Sequence, residues 1–237
     1  MGGSTRDCTI PESLRAFTRC AHVTSTTTAL RVDVWADIVC PWCYVGEARL
    51  EKAAASLAGE ADVTIVPHAF ELDPNHSHPA KVLDMLATKY GRSADEVVAM
   101  DSRVAEMAVA EGLPYTSDRL TANTFDAHRL IAAAQEEAGL GLAVLGAFQR
   151  GHFSGELNLG DADALVAAAS GAGLDEARAR EVLAGDEYAD AVRADQAQAR
   201  EYGVSGVPFT VVGQRYAIPG AAALAQYEKV LRTALEA

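Results

Sequence analysis

The chain has only four cysteines in 237 residues, too few and too unevenly placed for a disulfide framework. Only Cys40 and Cys43 are spaced as a pair, which points to a transient disulfide in a reducing, cytoplasmic compartment rather than to structural staples. Cations are also scarce. Twenty Lys and Arg stand against 33 Asp and Glu, a net charge of −13, and that balance excludes the nucleic-acid or anionic-membrane partner a basic patch would hold. No apolar run approaches 18 residues, so nothing reads as a membrane span. The amino-terminal stretch lacks the apolar core of about 7–15 residues that a secretory signal needs. Nor does a second Cys pair, or a Cys/His pair at ligand spacing, complete a zinc site with Cys40 and Cys43; His76 and His78 stand only two apart beside Pro79. No metal or bound cofactor is therefore expected, and no repeat period emerges.

Residues 1–30 are rich in Thr and Ser without hydrophobic periodicity. They read as a disordered leader with little apolar surface to bury, and Cys8 and Cys20 within it as bystanders. The length of the chain permits one large domain or a domain carrying an insertion.

The informative stretch is Arg31 to Glu51, with Cys40-Pro41-Trp42-Cys43 at its centre. Val32, Val34 and the Ile38-Val39 pair read as a short buried strand. After Cys40, apolar residues at 44, 50, 54 and 57 recur at helical spacing, predicting a helix over about 41–59. The dithiol thus falls where a strand ends and a helix begins. A helix start offers unsatisfied N–H groups and the positive end of the macrodipole, both of which favour a thiolate. Pro41 suits the first helical position. Cys43, three residues on, shares a face with Cys40 and can close a disulfide with it. Cys40 is the expected nucleophile and Cys43 the resolving thiol.

A second strand is predicted at 62–66, running on towards Phe70. Strand, helix, strand opens a parallel βαβ unit. From about 76 to 202 nearly every window is helical, with helices expected at 78–90, 93–111, 124–138, 141–152, 161–171, 174–184 and 186–202. Ser93 and Glu96 form a predicted capping box. Strands return at 208–212 and 215–218 around a Gly213 turn, and a helix at about 221–236 ends the chain. The expected organisation is an α/β thioredoxin-like domain of 31–75 plus 203–237, split by a helical insertion at 76–202 whose last helix is the candidate crossover.

The pattern resembles the thioredoxin superfamily, and within it the DsbA-type oxidoreductases of the FrnE group. The residues that carry the likeness are Val32-Asp33-Val34-Trp35, Cys40 through Gly46, Phe70-Glu71-Leu72-Asp73-Pro74, Asn123-Thr124 with Ala127-His128-Arg129-Leu130, and Gly203 through Phe209. The resemblance implies a thiol:disulfide oxidoreductase acting on protein or small-thiol substrates, with glutathione or another thiol as a possible electron donor. It also implies a cis Val207-Pro208 peptide facing Cys40, with Val207 offering backbone groups to an extended substrate. Pro41 and Trp42 are expected to support the dithiol, Trp42 partly covering it. Asp37 is a candidate proton acceptor for Cys43, and Asn123 and His128 are candidate substrate-facing residues, Asn123 also as a helix N-cap. The alternatives are a glutathione-dependent isomerase or transferase of the kappa or 2-hydroxychromene-2-carboxylate type and a non-catalytic holdase using the cis-proline groove. The residues leave the oligomeric state open, a dimer included.

Overall fold

The computed structural model describes residues 27–237. Strand β1 (Thr28–Ala36) leads into helix α1 (Pro41–Ala55) and strand β2 (Ala61–Ala69), and β1 and β2 pair in parallel. Near the end of the chain, β5 (Phe209–Val212) pairs antiparallel with β1, and β6 (Tyr216–Pro219) antiparallel with β5. The four strands stand in the order β2-β1-β5-β6. Helix α9 (Leu224–Leu235) packs on α1. This is the mixed sheet of a thioredoxin fold.

Period-two alternation explains how β1 serves two neighbourhoods. Val32, Val34 and Ala36 are buried in the main core with Leu50 and Leu57 of α1, Ile218 of β6, and Tyr227 and Leu231 of α9. Asp33 and Trp35 point the other way. Two boundaries of β1 differ from the sequence reading. The strand recruits Thr28, Ala29 and Leu30, assigned above to the leader, because β2 offers Ala61, Asp62 and Val63 as ladder partners. At its other end the strand stops at Ala36, and Ile38 and Val39 form the turn into α1 instead of continuing it. Residues 1–26 of the leader, Cys8 and Cys20 among them, lie outside the described residues.

Between β2 and β5 the chain forms α2 (Val82–Tyr90), α3 (Ala94–Ala110), α4 (Phe125–Ala138), α5 (Gly141–Ser154), α6 (Ala162–Gly171), α7 (Glu176–Ala184) and α8 (Ala189–Glu201). The Ser93–Glu96 capping box forms as expected. The helix expected from 78 starts only at Val82. Ala80–Lys81 (β3) pair instead with Leu120–Thr121 (β4), a short antiparallel ribbon extended by Val82 N–H donating to Arg119 O. Helix α8 lies against β2, where Asp195 accepts from Ala69 N–H at 2.9 Å.

One aromatic stack ties the α2–α3 hairpin to the dithiol helix. Tyr44 of α1 stacks on Phe153 at 4.7 Å, Phe153 on Tyr115 at 5.3 Å, and the Arg119 guanidinium lies 4.5 Å from the Tyr115 ring centre. Arg119 then pairs with buried Asp101 of α3 at 3.2 Å, and Asp101 also accepts from Tyr115 and Ser117 hydroxyls. A buried pair with its remaining lone pairs used in this way holds its geometry firmly.

Candidate active site

Cys40 is the N-cap of α1, in extended backbone conformation, with Pro41 at the first helical position and no side chain capping the first turn. The N–H groups of that turn are therefore left to whatever charge develops on Cys40. Both thiols are free. The Cys40 thiol donates to the Val207 carbonyl at 3.5 Å, and the Val207-Pro208 peptide is cis. The close approach of the two segments needs Gly46. A Cβ there would stand 3.1 Å from Pro208 Cγ and 3.4 Å from Ala221, so α1 could not lie as near the proline.

Cys43 is fully buried behind Cys40. Burial pushes its pKa well above the ordinary thiol value, and the neighbouring Cys40 and Glu47 push the same way. Glu47, four residues on and one turn below on the same face, is 3% exposed. Burial raises its carboxyl well above the usual range as well, opposed by the neighbouring Gln149 and reinforced by Glu51 and by charge on Cys40. Glu47 Oε1, Gln149 Nε2 and Thr210 Oγ1 are buried without partners. The sequence reading passed over Glu47. Its signal was a carboxylate at i+4 from Cys43, which only burial distinguishes from an ordinary surface glutamate such as Glu51.

Asp37 is 1% exposed and accepts from Leu72 N–H at 2.7 Å through Oδ2, while Oδ1 stands 3.4 Å from His128 Nε2. Its carboxylate thus anchors the chain after β2 and faces His128, and only its backbone reaches Cys43. The nearby His152 is wholly buried with both ring nitrogens unpartnered. Burial, with the Arg119 charge adding to it, lowers its pKa to about 3.

A cavity of about 260 Å³ opens beside Cys40. Pro41, Trp42, Val207 and Asp37 line it, opposite Met85, Leu86, Met100 and Val104 of α2 and α3. Trp42, 44% exposed, forms part of the mouth. Asn123 is not brought here. Its Oδ1 accepts from Phe125 N–H at 2.9 Å, capping α4 from one residue before the N-cap Thr124, and its Nδ2 donates to Pro74 O at 3.3 Å. Asn123 therefore ties the segment after β2 to α4, because a side chain held at both ends by backbone groups is not free to turn towards a substrate. His128 reaches the site only through Asp37. Among the described residues no helix is long and apolar enough to cross a membrane.

A family model, the DSBA-like thioredoxin domain, matches residues 31–232. The chain is 43% identical to a probable DsbA oxidoreductase from Streptomyces coelicolor, whose structure superposes with a TM-score of 0.82 over 87% of this chain and 90% of that one. A 2-hydroxychromene-2-carboxylate isomerase shares the fold at 18% identity and a TM-score of 0.64, over 87% and 96% of the two chains. So does the cytosolic disulfide reductase DsbM from Pseudomonas aeruginosa, solved with GSH, at 18% identity and a TM-score of 0.60 over 87% and 100%.

Proposed function

The chain belongs to the DSBA-like thioredoxin family, and from that premise we propose that it is a thiol:disulfide oxidoreductase of the FrnE group working in a reducing, cytoplasmic compartment. The observation that carries the reading is the asymmetry of the dithiol: Cys40 at a helix start beside a cavity, Cys43 buried behind it. The Cys40 thiolate attacks one sulfur of a substrate disulfide, a mixed disulfide forms, and the substrate's other sulfur leaves as a thiolate. Cys43 then gives up its proton and attacks Cys40 Sγ, releasing the second substrate thiolate and leaving Cys40–Cys43 oxidised. Two electrons pass to the substrate, and the reverse steps oxidise a dithiol. A buried thiol with a raised pKa needs a proton acceptor matched to it. Glu47, whose carboxyl is raised by the same burial, takes that role in place of Asp37. Glutathione or another small thiol restores the dithiol state, and no bound cofactor is required.

The isomerase reading stands second, because a single thiol-activating residue would serve it and two cysteines are present. The test is insulin disulfide reduction with dithiothreitol or glutathione, together with the Cys40–Cys43 potential, for wild type and Cys40→Ser. A potential between about −270 and −120 mV and turnover lost in the variant support the proposal. A wild type silent on insulin and on small disulfides alike, or small-molecule isomerisation retained in Cys43→Ala, overturns it in favour of the isomerase.

A further inference from the structure

The cavity beside Cys40 has a composition that its chemistry alone does not require. Nine large apolar residues are exposed among the described residues, and four of them, Trp42, Leu72, Tyr90 and Met100, lie around this one cavity. Exposed apolar surface gathered in one place marks a binding surface rather than a random residue of folding. Deeper in, Met85 and Leu86 of α2 and Val104 of α3 continue the apolar wall. Methionine side chains adapt to varied apolar shapes.

Most charged groups in the wall are engaged by the protein, and among the described residues only Asp37 Oδ1 and His76 Nε2 are buried there without a hydrogen-bond partner. Asp101 is taken by Arg119, Tyr115 and Ser117, Asp37 Oδ2 by Leu72 N–H, and Asp73 stands 3.6 Å from His76. Lys89, at the exposed rim, is the one lining cation that forms no ion pair among the described residues. Charge in the wall is thus mostly carboxylate. Such a lining repels a multiply anionic ligand and leaves an apolar one undisturbed. At about 260 Å³ the space lies just below the usual range of small-ligand sites, roughly 300–1,000 Å³. The roof is fixed, too, since the Tyr44–Phe153–Tyr115–Arg119 stack fastens the α2–α3 hairpin to α1.

Resting on the oxidoreductase reading, we propose that the cavity selects a compact, apolar, low-molecular-weight disulfide or thiol, in preference to glutathione or a polypeptide. The apolar body of the substrate fills the space between Trp42 and the Met85–Met100 wall, and its sulfur meets Cys40 Sγ. Cys40 displaces one apolar thiolate, and Cys43 attack on Cys40 releases the other, so the dithiol supplies both electrons and a small external thiol restores them. Burying an apolar body lowers the free energy by about 25 cal/mol per Å², a gain that glutathione disulfide, with its four carboxylates, cannot collect here.

The experiment compares kcat/KM of the reduced protein for dibenzyl disulfide, glutathione disulfide and insulin, each divided by the rate of the same disulfide with free dithiothreitol. The preference for dibenzyl disulfide over glutathione disulfide is expected to reach about tenfold or more, the discrimination one well-fitted apolar group gives. Met100→Glu, at an exposed position that tolerates the change in fold, reduces the preference about tenfold, and Met100→Leu restores it. Equal or faster turnover of glutathione disulfide or insulin overturns the selectivity. So does a preference unmoved in Met100→Glu whose circular dichroism matches wild type. Absence of exchange with all three disulfides in wild type is a different failure, since it removes the oxidoreductase reading on which the selectivity rests.

Discussion

Two polar neighbourhoods grow from the same strand, and they are built in opposite ways. On the face of β1 that carries Asp33 and Trp35, every charge has its partner. His68 lies 2.7 Å from Asp195 and 2.8 Å from Asp33, Arg31 pairs with Asp33 at 2.7 Å, and Trp35 stacks on His68 at 4.5 Å while donating to Asp195 O. Beyond the carboxyl end of the strand, around the dithiol, Asp37 Oδ1, Glu47 Oε1, His128 Nε2 and both nitrogens of His152 are buried and unpaired. Burial opposes charge on both histidines, but His68 has two hydrogen-bonded carboxylates to offset it, whereas His152 has only the weaker pull of Asp37 against the Arg119 charge. His68 is therefore raised to about 9 and His152 lowered to about 3. A fully paired cluster stabilises, whereas one with open valences is free to accept protons or substrate. Size does not tell them apart. The hollow over the His68 cluster, about 700 Å³, is larger than the one beside Cys40 but has no nucleophile.

The sharpest way to break the contrast is at the thiol. Cys40→Ser removes the nucleophile and is expected to abolish disulfide exchange to background, with thermal stability close to wild type, in an insulin-reduction assay paired with a melting curve. A pH sweep tests the other cluster. His68 in the folded chain titrates near 9 against about 6.5 in the unfolded chain, so the native state holds the extra proton between those values. Its contribution is fully present below about 6.5 and is lost as pH rises through 9, by at most about 3 kcal/mol at about 1.4 kcal/mol per unit. Urea midpoints at pH 6 and 9.5 measure it. Asp33, held below the usual carboxylate range because its bonds to His68 and Arg31 outweigh the burial that opposes them, gives up its share on the acid side.

His68→Leu separates that cluster from the chemistry. It strands the Asp195 carboxylate and is expected to cost about 2 kcal/mol, or a melting temperature lower by about 4–8 °C in a chain of this size. The pH 6 to 9.5 slope should flatten and the rate of disulfide exchange stay unchanged; a lost rate would mean that the two neighbourhoods are coupled. The smallest effect is expected at Glu47→Gln. It slows release of the mixed disulfide by about tenfold, short of the roughly 10²–10⁴-fold typical of general acid–base catalysis, as read by trapping the intermediate with acid. Because burial raises the Glu47 carboxyl, ionising it in the folded state opposes stability as pH rises. The variant should thus unfold at higher urea than wild type at pH 8 and at nearly the same urea at pH 4.

Much of this could be read without coordinates, for local reasons. The helices at 93–111, 124–138 and 161–171 were legible because a helix announces itself through side chains three and four apart, and α3, α4 and α6 fall within a few residues of those bounds. The dithiol was legible because Cys40, Pro41 and Cys43 combine two thiols and a helix start within four residues. The β3–β4 ribbon was not, since two-residue strands 40 positions apart carry no period. Asn123 was read as a cap, and does cap α4, but its other contacts are to Pro74 and Glu71, which no local rule reveals.

The order of predicted elements and the Cys40–Cys43 pair at a strand-to-helix junction determined by themselves the fold class and the placing of the dithiol, because each depends on neighbours in the chain. Tertiary structure decided which carboxylate lies under Cys43, which histidine is hydrogen-bonded to two aspartates and which has both ring nitrogens unpartnered, and how apolar the space beside Cys40 is. Those outcomes depend on desolvation and on partners brought from far along the chain. Glu47 and Glu51, four residues apart on one helix, are indistinguishable in the sequence; only packing buried Glu47 more deeply against the core behind the dithiol.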